Sequence, residues 1–374
     1  MSESIDKLSW ALVIPTYQRE PVLLRCLHFA AQQTLPAKEI IVIDASPDWD
    51  ITRKKVMDEL ASNSPAIHWQ YLPAKRASSA AQRNQGIELA TADIVFLIDD
   101  DSFMYSDCAE HILRIYAKDT ALQVAGIMPK LEALPPSESE SELENADNVN
   151  DSPPSQERNN RPSKLSEQVK IIQVKWRAKA KRLIGDDDIF IPYHFAFSKY
   201  RLPETLKEMA VHPVPMMHGA RMTYRRNILA QVRFEETLER YAVNEDNDVC
   251  YRASRLGMLL HAVKARICHL EDSHGRLTRF TTTALWGLNQ AVLHRFHSPD
   301  LARFQKQFNK LLLKRLLTQT IKDVLDRRWT LPSPRGVWFA WRHYQEILSK
   351  TPDELRQWYP QFQQTLIRQD RLEK

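Results

Sequence analysis

Glycine is scarce in this chain, which has 8 glycines in 374 residues. Neither a GxGxxG fingerprint nor a GxxxxGK(S/T) loop is present. Both motifs depend on glycine because the backbone must approach a phosphate closely. If the protein binds phosphates, cations must therefore hold them.

Cysteine is also rare, with four residues scattered at Cys26, Cys108, Cys250 and Cys268. No CxxC pair occurs, so the sequence suggests neither a zinc knuckle nor a disulfide framework, and a reducing cytosol fits best. The opening stretch MSESIDKLSW lacks the basic start and apolar core of a signal peptide. No apolar run approaches the ~18 residues that span a bilayer. A cytoplasmic protein is expected.

The overall charge is mildly basic, with a formal net charge of +5 and a pI near 8.9. Such an excess does not by itself predict a nucleic-acid partner, and none is expected. Hydrophobic residues make up 43% of the chain, which is enough for a sizeable core.

The first 130 residues alternate between short apolar runs and helical patterns. Strands are predicted at 10–15, 39–44, 67–72, 94–99 and 122–129. Helices are predicted after Pro21 and over 78–90 and 108–118. This order predicts an α/β fold with a mostly parallel sheet and helices on both faces.

Composition changes sharply at Pro135. Residues 135–160 carry seven acids against one arginine and are rich in serine and proline. Such a segment cannot bury enough apolar surface to order itself, so a disordered insertion is predicted at about 135–164. A basic amphipathic helix is predicted next, at 166–184. It could lie on an anionic membrane, but packing against the protein's own core is the favoured interpretation.

The second half returns to strands and then becomes helical. Sheet-like segments are predicted within 212–226, at 258–263 and at 265–270, with a helix at about 245–256 that stops at Gly257. Beyond about residue 280 the pattern is helical, and 301–325 combines recurring apolar positions with a basic surface. We therefore predict a domain over 1–275 and a C-terminal helical extension over 276–374.

The stretch DIVFLIDDDS at 93–102 runs a buried-strand pattern straight into three aspartates. In open α/β sheets, ligands bind at the carboxyl ends of the strands. Two carboxylates separated by one residue can share a hard divalent cation, with a diphosphate completing the site. A plain turn remains the alternative, and a second aspartate triplet, in GDDDIF at 185–190, follows no buried strand.

A second acidic cluster lies in NEDNDVCYR at 244–252. Asn244 suits an N-cap, first-turn acids suit the helix dipole, and Asp248 with Arg252 forms an i,i+4 pair. An ordinary surface pair of that kind is worth under about 1 kcal/mol. Considered alone, the cluster is structural.

Six pieces in register resemble the family 2 glycosyltransferases, the large inverting group with the GT-A fold. They are VIPTYQRE (13–20), IIVIDASPD (40–48), SAAQRNQGIELATADIVFLIDDD (79–101), HGARMTYRRNIL (218–229), NEDNDVCYRASRLG (244–257) and ARICHLEDSHG (265–275). The resemblance covers roughly 9–275 without the insertion. One departure is DASPD where Asp-(Asp/Gly)-Ser is more usual, which leaves the choice of nucleotide open.

The resemblance implies a role for each matching residue. Donor-side contacts would come from Thr16, Tyr17, Arg19, Asp44, Arg83, Asn84, Asp99 and Asp100. Asp99 and Asp101 match the DxD that meets the metal, Mn²⁺ or Mg²⁺, and the diphosphate. His269 matches a histidine that touches metal or diphosphate, although a buried structural histidine fits equally well. Asp246 matches the catalytic base.

The resemblance thus implies an inverting, metal-dependent transfer of a sugar from a nucleoside-diphosphate sugar to an acceptor hydroxyl. A lipid-linked glycan in cell-surface polysaccharide or glycoconjugate assembly is the expected acceptor class, with peripheral contact at the inner membrane face. A sugar nucleotidyltransferase is one rival, but it should carry a glycine-rich loop where this chain has PTYQRE. The other is an inactive GT-A binding or scaffold subunit, which intact Asp99, Asp101 and Asp246 disfavour.

Overall fold

Nine strands form one sheet in the computed structural model, which describes residues 8–133, 190–270 and 277–372. In chain order they are β1 Trp10–Thr16, β2 Glu39–Asp44, β3 His68–Pro73, β4 Ile94–Ile98, β5 Ser102–Met104, β6 Val124–Glu132, β7 Val211–Pro213, β8 Arg221–Arg225 and β9 Met258–His269. The predicted insertion, the basic helix 166–184 and the aspartates of GDDDIF lie outside the described residues.

Helices flank and follow this sheet. They are α1 Glu20–Ala31, α2 Trp49–Val56, α3 Ser79–Leu89, α4 Cys108–Lys118, α5 Arg226–Leu229, α6 Glu245–Ala253, α7 Arg279–His297, α8 Leu301–Leu325, α9 Pro332–Ser349 and α10 Pro352–Leu372. A π-helical turn, Met57–Ala61, continues α2, and a 3₁₀ turn covers Glu204–Met209. Among the described residues, none of these helices has both the length and the apolar content that a bilayer crossing needs.

The sheet has the order β3-β2-β1-β4-β8-β6-β9-β5, with β7 on β9. Strands β3, β2, β1 and β4 are parallel, and β8 is antiparallel to both β4 and β6. Strand β9 is parallel to β6, so β6 and β9 point the same way as β4. The carboxyl ends of β1, β2, β4 and β9 therefore meet at one edge, where β8 begins. The predicted α/β fold, with a mostly parallel sheet and a C-terminal helical extension, is confirmed.

The central strands are apolar because helices cover both of their faces. All five residues of β4 are buried. Helix α3 packs closely on β1 at Gly86, where a Cβ would come within 2.3 Å of Val13 Cγ1. Gly86 is therefore needed for the close approach of this helix to the sheet.

The structure departs from the predicted elements at three places. The two apolar segments at 258–263 and 265–270 form one strand, because β9 continues through a bulge opposite Pro129 and Lys130 of β6. Helix α2 and the short strand β5 were not predicted. Strand β5 exists because it pairs with β9, a contact that no local pattern reveals.

The C-terminal helices hold the segment that leads into α6. Asn289 of α7 donates to Val243 O at 2.8 Å, and the Tyr359 hydroxyl of α10 donates to Asn289 Oδ1 at 2.5 Å. Gln363 donates to Thr237 O at 2.9 Å. The predicted domain division at 275/276 stays a prediction, and the helices after it support the segment that leads into α6.

Candidate active site

Two aspartates and a histidine meet at the carboxyl edge of the sheet. Asp99 and Asp101 follow β4, and His269 ends β9, where it pairs in register with Ser102 of β5. His269 Nε2 lies 2.9 Å from Asp101 Oδ1 and 3.9 Å from Asp99 Oδ2. One ligand atom from each of the three lies within 4.8 Å of the others. This set of carboxylate oxygens and imidazole nitrogen is suited to holding a divalent cation.

Asp100, between the two, has a different environment. Its carboxylate is buried and accepts hydrogen bonds from Thr16 Oγ1 and Arg19 Nη1, both at 2.7 Å. Burial raises the pKa of Asp100 to about 6, against the lowering effects of Arg19 and Thr16. The side chain thus ties the aspartate turn to the end of β1. Its contact with a donor stays a prediction.

The end of β2 is also tied down by a buried carboxylate. Asp44 accepts a hydrogen bond from the Tyr71 hydroxyl at 2.5 Å and from Ser46 N at 2.7 Å. Tyr17 directly follows β1, the strand next to β2, and its side chain is half-buried. The Arg240 guanidinium lies 5.5 Å from the centre of the Tyr17 ring. The structure thus brings the predicted base and ribose residues to one edge, and their contact with a nucleotide stays a prediction.

Arg83 of α3 joins the two acidic clusters. Its guanidinium is buried, pairs with Glu245, and donates to Asp99 Oδ1 at 2.6 Å and to Gly219 O at 3.2 Å. Ser79, one turn earlier, accepts from Arg83 at 2.9 Å. Contacting Glu245, Asp99 and Gly219 O at the same time requires the several N–H donors of a planar guanidinium, which a lysine ammonium does not provide.

Glu245 is a site residue that sequence reasoning treated as a helix-start acid. It is buried, and burial raises its pKa to about 7, against the lowering effects of Arg83 and Ser79. The signal in the sequence was the adjacent pair Glu245-Asp246, whose first member faces inward to Arg83. This buried ion pair connects α3 and α6 directly.

Replacing Arg83 with methionine should lower the free energy of unfolding by about 3 to 5 kcal/mol, because Glu245 would lose its buried cationic partner. The matched control is Arg233→Met. Arg233 pairs with Glu88 at 2.5 Å, but both side chains are more than a third exposed, so the loss should stay under about 1 kcal/mol. Urea unfolding of both variants measures this. Equal losses would contradict the buried-pair account.

The side-chain amide of Asn84 uses both of its N–H groups and its carbonyl oxygen in hydrogen bonds within the protein. Its amide donates to Phe234 O at 2.9 Å and to Glu236 Oε1 at 2.8 Å, and its carbonyl accepts from Phe234 N at 3.0 Å. The side chain therefore anchors the segment 234–236 against α3. Its predicted place on the nucleotide side stays a prediction.

Asp246 lies in the first turn of α6, beside Gly219 at the entry to β8. Its carboxylate accepts hydrogen bonds from Gly219 N at 3.0 Å and from Asn247 N at 2.8 Å. Gly219 O in turn accepts from Arg83, which contacts Asp99. One short chain of contacts thus links the candidate base to the candidate metal ligands.

Asn244 is the N-cap residue and Asp248 pairs with Arg252, as predicted, but the surroundings of both side chains differ from the expectation. Asp248 is not in a surface pair: it is fully buried and accepts hydrogen bonds from Tyr193 at 2.8 Å as well as from Arg252. Asn244 makes no capping hydrogen bond, because its side chain donates instead to Trp286 O at 2.9 Å. Its φ of 75° places it in the left-handed region, which asparagine tolerates well.

The family model for glycosyl transferase family 2 matches residues 11–233, more than half of the chain. The chain therefore belongs to glycosyl transferase family 2. The match includes the aspartate turn and Arg83, and it ends before the segment that carries Asp246 and His269.

Curated relatives match over a shorter stretch. The uncharacterized glycosyltransferase YibD of Escherichia coli (strain K12) is 32% identical over 120 residues, which are 32% of this chain and 33% of YibD. The putative glycosyltransferase EpsH of Bacillus subtilis (strain 168) is 27% identical over 127 residues, covering 33% of this chain and 34% of EpsH. The chain thus spans about a third of the length of these relatives.

Two solved structures are similar at low identity. The mannosyltransferase PcManGT from Pyrobaculum calidifontis, in complex with GDP-Man and Mn²⁺, has a TM-score of 0.45 at 14% identity, covering 88% of this chain and 74% of its own. GalNAc-T7 with UDP, GalNAc and Mn²⁺ has a TM-score of 0.47 at 14% identity, covering 81% and 54%.

Proposed function

We propose that this protein is a metal-dependent, inverting glycosyltransferase that moves a sugar from a nucleoside-diphosphate sugar to an acceptor hydroxyl. The observation that carries the proposal is the meeting of Asp99, Asp101 and His269 at the carboxyl edge of the sheet. Membership of glycosyl transferase family 2 supports it. The separate position of Asp246, on α6, supports a division of work between metal binding and proton transfer.

Asp99, Asp101 and His269 would hold the divalent cation, Mn²⁺ or Mg²⁺. When bound, the cation stabilises the negative charge that develops on the departing nucleoside diphosphate. Arg19 Nη1 lies 3.3 Å from Asp101 Oδ2, and Arg83 lies 2.6 Å from Asp99 Oδ1, so each carboxylate is oriented by an arginine. These arginines restrict the two ligands to conformations that face the edge.

Asp246 would take the proton of the acceptor hydroxyl as the new glycosidic bond forms. A hydroxyl is a poor nucleophile until its proton is removed, and a carboxylate held by two backbone N–H groups is fixed in position for that role. The base and ribose of the donor would lie against Thr16, Tyr17, Arg19 and Asp44, with Arg83, Asn84 and Asp100 behind the diphosphate side.

The acceptor would be a hydroxyl of a lipid-linked glycan, in cell-surface polysaccharide or glycoconjugate assembly at the cytoplasmic face of a membrane. Residues 1–275 would form the catalytic domain and 276–374 a supporting extension. The hydrogen bonds from Asn289 and Gln363 to the segment before α6 support the supporting role of this extension.

The test is to incubate the protein with a panel of nucleoside-diphosphate sugars and Mn²⁺, and to follow each donor by proton NMR. We expect slow release of nucleoside diphosphate from one donor, and the first sugar released should have the inverted anomeric configuration. Release of the retained anomer would refute inversion. Formation of a nucleoside triphosphate from donor and pyrophosphate would indicate a sugar nucleotidyltransferase. Donor binding without turnover, across acceptors, would indicate a binding subunit.

A further inference from the structure

The second half of helix α8 exposes a stripe of large apolar side chains to solvent. Their spacing of three or four residues places them along one side of the helix. The members of this apolar stripe are Leu313, Leu317, Ile321, Val324 and Leu325, which are 51%, 59%, 53%, 42% and 40% exposed. Trp329, in the loop that follows, is 73% exposed. A continuous exposed apolar patch of this kind marks an interaction surface.

The part of the chain that carries the apolar stripe is rich in basic side chains. Between residues 306 and 342 the sequence has nine lysines and arginines against two aspartates, a net of seven positive charges in a chain whose total is +5. Of the two aspartates, Asp323 is buried and bonded to Ser333, and Asp326 pairs with Arg328. The exposed charges are all basic: Lys306, Lys310, Lys314, Lys322, Arg327, Arg335 and Arg342.

The combination of exposed apolar and basic side chains distinguishes between three kinds of partner for this surface: a second copy, a nucleic acid and a lipid bilayer. A second copy would bring the same positive field against itself across a two-fold contact. A nucleic acid would use the charges but leave five exposed apolar side chains without a partner. An anionic bilayer surface satisfies both features, because apolar side chains enter the acyl boundary while lysine and arginine meet the headgroups. Exposed tryptophan is also typical of that interface.

We propose that the apolar stripe of α8, with Trp329 and the lysines of α8, docks the protein on an anionic lipid bilayer. The helix is well anchored to the rest of the molecule, because the buried Arg315 guanidinium stacks 3.6 Å from the Trp286 ring centre on α7. Trp286 O accepts the hydrogen bond from Asn244, next to the acidic cluster of α6. Docking through α8 would thus fix the candidate site relative to a membrane, and it holds whether or not the protein transfers sugars.

The experiment is co-sedimentation of the full chain with vesicles of phosphatidylcholine alone or mixed with phosphatidylglycerol. Wild type should bind the anionic vesicles and bind less as salt rises. The variant Leu313→Ser/Leu317→Ser/Ile321→Ser should lower the partition coefficient at least about tenfold, because each side chain contributes apolar burial. The matched control removes three equally exposed apolar residues elsewhere: Ile51→Ser/Leu122→Ser/Leu131→Ser. It should bind like wild type.

A charge variant, Lys310→Gln/Lys314→Gln/Lys322→Gln, should lose binding to anionic vesicles and keep its stability. Unchanged melting temperatures show that each variant is folded, and donor hydrolysis should be unaffected in all of them. No binding by wild type, or equal loss in stripe variant and control, would overturn the proposal. Equal binding to neutral vesicles would overturn the anionic preference. A wild-type dimer that the stripe variant converts to monomer would assign the face to a second copy instead.

Discussion

Replacing Asp246 with asparagine should lower turnover by roughly two to four orders of magnitude, the range that follows loss of a general base. Asparagine keeps the size of the side chain, and its single carbonyl oxygen can still accept the hydrogen bond from Gly219 N, while the bond from Asn247 N to the other oxygen is lost. The fold should be preserved with a small loss of stability, of about 1 kcal/mol. Donor affinity should change little, because the candidate metal ligands lie elsewhere, just after β4 and at the end of β9. Single-turnover rates and the melting temperature measure the two effects separately.

Asp248→Asn is the control, and we expect the opposite result from it: a loss of stability with turnover retained. Its carboxylate is fully buried between Tyr193 and Arg252, so the substitution should cost at least about 2 kcal/mol of stability. Turnover per folded molecule should be largely retained. If Asp248→Asn abolishes turnover in a folded protein while Asp246→Asn spares it, the base has been misassigned by two residues.

Replacing Asp101 with asparagine should weaken Mn²⁺ binding at least about 100-fold, since altering groups behind the ligands of a metal already costs 10- to 100-fold. The Mn²⁺-dependent part of donor binding should disappear with it. Few alternatives exist for neutralising a diphosphate here, because the chain has neither type of glycine-rich phosphate loop. Manganese titration with and without donor measures both losses.

Asp107→Asn is the matched control for Asp101. Asp107 lies nearby in sequence, just before α4, and its carboxylate faces His111 at 3.3 Å and Arg266 at 3.8 Å. Because Asp107 is not one of the three candidate ligands, Asp107→Asn should leave the binding of Mn²⁺ and of the donor unchanged. Equal losses in the two variants would show that general negative charge, rather than the three-residue site, governs binding.

The sequence predicted the position of the two aspartates best, because that position depends on a single strand and the turn after it. The fully apolar pattern of β4 predicted a buried strand that ends in the aspartates, and the parallel order of the first four strands predicted the edge at which Asp99 and Asp101 lie. For His269 the sequence fits a metal ligand and a buried structural histidine equally well. Its position beside both aspartates depends on the pairing of β5 with β9, which the local sequence does not specify.

Contacts between distant segments were the part that sequence reasoning could not supply. Arg83 and Glu245 are 162 positions apart, and nothing near either residue indicates that α3 and α6 meet. Asp248 fits an exposed i,i+4 pair by its spacing from Arg252, but Tyr193, 55 positions earlier, covers it. A local pattern gives the helix and the pair, whereas burial depends on which other segment packs above them.

The central claim is that Asp99, Asp101 and His269 bind a nucleoside diphosphate through a divalent cation. Calorimetric titration of UDP and GDP into the wild-type protein, with Mn²⁺ and then with EDTA, tests it most directly. At least one diphosphate should bind about tenfold or more tightly with Mn²⁺, and that gain should vanish in Asp101→Asn. Binding of equal strength with and without the metal, or no binding of either diphosphate, would contradict the account.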